Sequence, residues 1–117
     1  MMRYMMLYKP GYDGGPPPTQ EHMQQMGQLI GEMVQAGVLL ATDGLLDSSK
    51  GVRVRIKDEK FIVTDGPFTE TKELIAGFAL VHVPSREEAI RWAKKFLSLM
   101  REGESEIREM CDVPAFP

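Results

Sequence analysis

Residues 76–100 read A-G-F-A-L-V-H-V-P-S-R-E-E-A-I-R-W-A-K-K-F-L-S-L-M, and this stretch decides the fold class. Ala76 to Val83 is apolar on both alternating sets, Phe78, Leu80 and His82 on one face and Ala79, Val81 and Val83 on the other. That is the pattern of a strand buried on two sides. Ser85-Arg86-Glu87-Glu88 is a capping box, S-x-x-E, in which a hydroxyl and a carboxylate satisfy backbone N–H groups at a helix start. Ala89, Ala93, Phe96, Leu97 and Met100 then give the helix a broad apolar face, with Trp92 flanking it. Gly103 stops the helix, and Glu104 to Cys111 makes a last strand. The unit is therefore β-α-β.

Working outward, the same order appears upstream. Arg3 to Tyr8 is a short strand of aromatic and apolar residues, closed by the Gly/Pro-rich K-P-G-Y-D-G-G-P-P-P. Thr19 is a good N-cap, and Met23, Met26, Ile30, Met33 and Val34 follow helical spacing up to Gly37 as the C′ residue. V-L-L-A-T-D (38–43) is again a strand apolar on both faces. Between the two units, Val52, Val54 and Ile56 alternate with Arg53, Arg55 and Lys57, and Lys60 to Thr64 returns beyond a polar turn, which makes a hairpin. With no internal repeat and no linker, residues 1–117 read as one domain. The expected fold class is α+β, a ferredoxin-like sandwich with two helices on one face of a mainly antiparallel sheet and the hairpin inserted midway. Two helices cover one sheet face only, yet two strands are apolar on both faces. A second copy of the sheet is the simplest cover, so the expected partner is the protein itself, as a homodimer packed sheet to sheet.

Composition sets limits on function. The 117 residues carry 14 Lys+Arg against 17 Asp+Glu, a formal net charge of −3, with 43% hydrophobic and 26% charged residues. This is the balance of an ordinary soluble globular domain. The mild acidity argues against nucleic acid as a dominant partner, and the absence of an apolar run near ~18 residues argues against a membrane. The start, M-M-R-Y-M-M-L-Y-K-P, lacks a signal peptide's small-residue cleavage site. A single cysteine, Cys111, cannot form an internal disulfide, so the cytoplasm is the expected location. Its acidic neighbours do not favour a thiolate, so a structural cysteine is expected rather than a nucleophile. All of the net charge lies in residues 61–117, much of it in G-E-S-E-I-R-E, whose charges suit an edge strand that must not pair further. No metal-ligand spacing, phosphate loop or dinucleotide fingerprint is present, so neither a cofactor nor a metal is expected.

The stretch Val63-Thr64-Asp65-Gly66-Pro67-Phe68-Thr69-Glu70-Thr71-Lys72-Glu73 resembles the signature of DGPF-domain proteins, a branch of the YCII-related superfamily. The likeness continues through Gly77-Phe78, Val83-Pro84, Glu88-Ala89-Ile90 and Glu106-Ile107-Arg108. Upstream it includes Ala36-Gly37-Val38-Leu39 and Gly44-Leu45, so it covers nearly the whole chain. The resemblance implies a dimeric α+β barrel in which two ferredoxin-like protomers pack their sheets face to face. It also implies a link to alternative sigma factors, whose genes often neighbour those of DGPF members, and hence a regulatory or stress context.

Four residues form the candidate catalytic set: His22, Asp65, Glu70 and Lys72. His22 lies in the first turn of the first helix, at the position the YCII histidine is expected to take, where a neutral imidazole could exchange a proton near pH 7. Asp43, at the end of the second strand, is its candidate acidic partner, or else a strand-ending Asp-Gly turn. Phe68 is expected to plug the 65–73 loop into the core and so hold Asp65, Glu70, Lys72 and Glu73 in place. Carboxylates beside an ammonium suit proton abstraction next to a carbonyl, and equally suit a salt-bridged dimer rim. His82 is expected on an apolar strand face, and the methionines in a core or an adaptable cleft. The leading reading is a homodimer with a cleft for an unknown small molecule between helix and sheet, running cofactor-free, isomerase- or lyase-like acid–base chemistry if it is catalytic. The alternative is a non-catalytic ligand-binding or regulatory module. A cleft holding His22 and a loop carboxylate favours the first; one lined by methionines, with the charges paired at its rim, favours the second.

Overall fold

A computed structural model describes residues 1–111 and builds outward from a central strand, β1 (Met2–Lys9). After it come α1 (Gln20–Gln35), β2 (Leu39–Gly44), β3 (Val52–Lys57), β4 (Lys60–Asp65), β5 (Gly77–Val83), α2 (Arg86–Met100) and β6 (Glu104–Glu109). Four strands form one antiparallel sheet in the order β2-β5-β1-β6, while β3 and β4 form a separate two-stranded ribbon. This is the expected α+β, ferredoxin-like arrangement, with the hairpin standing apart from the main sheet.

Strand alternation decides which side carries the helices. Tyr4, Met6 and Tyr8 of β1 are buried, and they share a face with Val81 and Val83 of β5, both fully buried. Leu29 and Met33 of α1 and Ala89, Trp92 and Ala93 of α2 close on that face to form one core. The opposite face carries Met5 and Leu7 of β1 directly across from Leu80 and Phe78 of β5, half-buried and with no helix over them. His82 lies on this second face, opposite Arg3. At the sheet edge, β6 presents Glu104, Glu106 and Arg108 on that side, next to Lys9, Leu7 and Met5.

The helix ends follow local chemistry. Thr19 Oγ1 accepts from the His22 N–H at 3.1 Å, and Ser85 Oγ from the Glu88 N–H at 3.2 Å. The capping box is only half made, because the Glu88 carboxylate turns to Arg91, 3.0 Å away, instead of reaching back to the Ser85 N–H. Three expectations of helix packing are corrected. Met23 and Val34 are each 60% exposed, and Leu29 takes the core position beside Met33, which rotates the buried stripe of α1. Trp92 does not flank the core but sits inside it, since Ala89 and Ala93 leave α2 too slim there to fill the space over the sheet. And α2 closes on Arg101 in the left-handed region (φ 66°), two residues before Gly103.

Gly103 has a different role. It has φ +92°, and a Cβ there would lie 2.7 Å from the Tyr8 ring and 2.8 Å from the Lys9 carbonyl oxygen. Tyr8 is pinned at this spot: its hydroxyl donates to the Glu102 carbonyl at 2.9 Å, and its ring meets Phe96 edge-on at 5.0 Å. Gly103→Ala should therefore cost at least about 2 kcal/mol of folding stability, read as a lowered urea midpoint. An unchanged midpoint would show that the β6 start can swing away from Tyr8.

Candidate functional site

Two concavities flank α1. The inner one, about 450 Å³, lies between both helices and the sheet. Met6, Met26, Met33 and Met100 line it together with Trp92 and Phe96. The outer one is a broad groove of about 1240 Å³ between the start of α1 and the loops at 10–18, 45–51 and 68–76.

Polar atoms in the inner cavity are few, and most are accounted for. Tyr8 donates to Glu102 as above; Thr42 Oγ1 donates to the Phe78 carbonyl at 2.8 Å; Asp43 Oδ1 accepts from the Gly44 N–H at 2.9 Å. Burial pushes the Tyr8 phenol up to about 12, so it stays neutral through the physiological range. No Lys, Arg or His lines the cavity, and Asp43 is its one carboxylate among the described residues. Ser105 also lines the cavity, and the exception among its buried polar groups is Trp92. Its indole N–H is buried and has no hydrogen-bond partner, alone in that respect among the side chains of the described residues. Leaving such a donor unmet costs about 1–3 kcal/mol.

The outer groove takes its shape from a cross-tie between loops. Asp13 accepts from Ser48 twice, from the N–H at 2.8 Å and from the hydroxyl, and Ser48 Oγ accepts from the Phe68 N–H at 2.8 Å. The Gly66 N–H donates to the Gly51 carbonyl at 2.9 Å, and a Cβ on Gly66 would fall 1.6 Å from the Ser48 carbonyl oxygen. Only glycine fits where the two backbones meet so closely. Phe68 does not enter the core as expected. It is half-buried against Gly51 with the Arg53 guanidinium stacked 3.7 Å from its ring centre, because the ties to Ser48 and Gly51 hold its backbone at the hairpin root.

The candidate residues fall in separate places. His22 lines the outer groove. Asp65 ends β4 opposite Val52, exposed. Glu70 pairs with Arg53 across the hairpin root, and Lys72 is exposed in a single helical turn at Thr71–Glu73. Glu73 meets Lys9 at 3.4 Å, and Lys9 also holds Glu106 at 2.7 Å. Asp43 lines the inner cavity, and no hydrogen bond joins it to His22 among the described residues. Nor is any group of three or more His, Cys, Asp or Glu placed to hold a metal ion among these residues. Among the described residues no helix is long and apolar enough to cross a membrane. Trp92 and the Asp13–Ser48 tie were not singled out by sequence reasoning. The signal available for Trp92 was its place between Ala89 and Ala93, whose small side chains leave room beneath it.

The loop's electrostatics are testable. The Arg53 hydrogen bond holds the Glu70 carboxyl below the usual carboxylate range. A depressed carboxyl adds stability that is present above its ordinary pKa and is lost as pH falls through the lowered folded value. A carboxyl-carbon NMR titration should place the Glu70 midpoint below that of a free glutamate, and Arg53→Gln should return it to the ordinary range. Equal midpoints in both proteins would remove the ion pair from the account.

Comparison with known proteins adds two findings. The model of the YCII-related domain matches residues 2–113. An uncharacterized protein of Rhizobium meliloti (strain 1021) is 33% identical over 72 residues, a match that spans 62% of this chain and 58% of the relative.

Proposed function

Since the chain belongs to the YCII-related family, a family match that names no substrate, we propose from the site itself that it is a homodimeric small-molecule-binding protein whose ligand occupies the inner cavity. The observation that carries this reading is the cavity's size and lining. Its volume of about 450 Å³ lies within the range of small-ligand pockets, and its walls are methionine, aromatic and aliphatic side chains with few polar groups. Methionines make such a wall adaptable, since an unbranched thioether rearranges around differing apolar shapes. Catalysis by His22 with Asp65, Glu70 and Lys72 has less support, because the cavity lining includes none of the four and Glu70 is engaged with Arg53. A binding module of this kind suits a regulatory role.

Two surfaces argue for the second copy. One is the uncovered sheet face with Met5, Leu7, Phe78 and Leu80. The other is the hairpin, whose two strands form a sheet of their own apart from the main one. Val52, Val54 and Ile56 share one hairpin face with Phe61 and Val63, and all are between 55% and 74% exposed. The radius of gyration, 16.2 Å, exceeds the roughly 13 Å of a compact domain of this length. Apolar surface held out on an extended arm belongs to an interface rather than to a free monomer.

Both halves of the reading have direct tests. Light scattering at micromolar concentration should give twice the 13.2 kDa chain mass, and Ile56→Asp with Phe61→Asp should shift it toward one chain. A wild-type protein of monomer mass removes the dimer. For the cavity, benzene titrated into protein carrying labelled methionine methyls should shift Met6 and Met33 saturably. Ile30→Trp, at a half-buried position on the wall shared with the outer groove, should abolish those shifts. Movement confined to exposed Met23 would refute an internal site.

A further inference from the structure

One row of the sheet leaves the floor of the inner cavity bare. Ser105, Tyr8, Gly77 and Gly44 stand across from one another on β6, β1, β5 and β2, so they share the face that the helices cover. All four line the cavity, and two of them bring no side chain. Neither glycine has a positive φ. Gly77 is kept bare by the Asp43 carbonyl oxygen, 3.0 Å from where its Cβ would lie, whereas a Cβ on Gly44 would meet nothing nearer than 3.9 Å. The other end of the row carries a hydroxyl. Of the three hydroxyls in the lining, Tyr8 and Thr42 donate to backbone carbonyls at 2.9 and 2.8 Å, and half-buried Ser105 has no side-chain hydrogen bond among the described residues. We infer that the inner cavity binds a flat, uncharged ring compound that lies on the glycine floor and presents one oxygen, a hydroxyl or a carbonyl, to the Ser105 hydroxyl. This rests on the reading of the cavity as a ligand site and adds to it the ligand's chemical class and the group that orients it.

Spacing and lining set the class. From Ser105 to Gly77 is two strand spacings, about 10 Å, which suits two fused rings. Peptide planes without side chains make a flat surface, and Trp92 and Phe96 of α2 add aromatic walls on the helix side. No Lys, Arg or His lines the cavity to meet an anion. Its one carboxylate, Asp43, stands across from Phe78, on the sheet face turned away from the helices, so a cation gains little either. A charged ligand would thus leave water for methionine and aromatic walls without a counter-charge. A hydrocarbon would fill the volume and leave Ser105 unengaged. A neutral oxygen regains in the Ser105 bond what its own dehydration costs, which makes Ser105 a specificity-determining residue.

Beta-naphthol, naphthalene and beta-naphthoate make a matched probe set: neutral oxygen, no oxygen, charged oxygen. Their affinities can be read from the labelled methyls of Met6 and Met33, which line the cavity. Naphthol is expected to bind at least as tightly as naphthalene, although its hydroxyl is costlier to dehydrate, and naphthoate at least tenfold more weakly than either. Ser105→Ala should weaken naphthol about tenfold and leave naphthalene unchanged. Gly44→Val puts a side chain on the bare floor and should weaken both neutral probes at least tenfold. The wild-type ranking and Ser105→Ala decide the matter even if Gly44→Val does not fold. Naphthalene binding more tightly than naphthol, or Ser105→Ala treating the two alike, overturns the Ser105 assignment and leaves the cavity as a plain apolar site. A folded Gly44→Val protein with unchanged affinities overturns the glycine floor. Naphthoate binding as tightly as naphthol overturns the uncharged class. Failure of every probe to bind overturns the ligand site itself.

Discussion

The rest of the structure depends on a mismatch between a sheet with two apolar faces and a chain with helices for only one. In β1 the side chains alternate, so Tyr4, Met6 and Tyr8 go under the helices while Met5 and Leu7 point the other way. A period of two allows no other choice: any register that buried Met5 would expose Met6. In β5 the same alternation sends Val81 and Val83 inward and Phe78 and Leu80 outward. The edges are handled differently. β6 carries Glu104, Glu106, Arg108 and Glu109, charges that resist a further strand, and β2 is interrupted by a bulge between Leu39 and Ala41. The sheet is guarded along its edges and open across one face.

The hairpin and the 65–73 loop have to be understood together. A two-stranded ribbon with no third strand is marginal by itself, so something must fix its root. That is what the loop does. Gly66 binds Gly51 through the backbone, Phe68 lies under Arg53, and Glu70 pairs with the same guanidinium. Asp13 and Ser48 connect this root to the Gly/Pro-rich segment after β1. The most distinctive motif of the sequence thus holds an arm in place, and the arm presents apolar side chains outward on a basic ribbon. Of its charged residues, Glu70 takes part in that anchoring through its ion pair with Arg53.

How much of this could be read from the sequence follows from the range of each interaction. Element order, the hairpin and both N-caps are set by neighbours within a few residues, and hydrophobic period and capping chemistry report those directly. The ferredoxin-like class follows from two β-α-β units sharing one sheet, whereas the order β2-β5-β1-β6 is set by pairings between distant strands. The faces of α1 were less legible, because Met23, Val34 and Leu29 all fit a helical stripe and only the sheet's position selects among them. The destination of Phe68 was hidden for a similar reason: its partners Gly51 and Arg53 lie across the hairpin, a contact that no local pattern encodes. His22 and Glu70 looked alike as titratable residues near a cleft. Their separation between an outer groove and a hairpin root depends on loop packing alone.

The inner cavity follows from how α2 is built. Ala89 and Ala93 bring the helix close to the sheet, and Trp92 between them spans the space that smaller side chains leave. Toward the far end of α2, Phe96 and Met100 face Tyr8, which is locked against Gly103 by close contact and to Glu102 by its hydroxyl. Tyr8 therefore cannot move inward to fill the space. The flexible methionines can move, but their thioethers are poor acceptors and leave the indole N–H unmet. The interior is thus a rigid aromatic frame with adaptable walls, in which the phenol held near 12 stays neutral and Asp43 is the one carboxylate among the described residues.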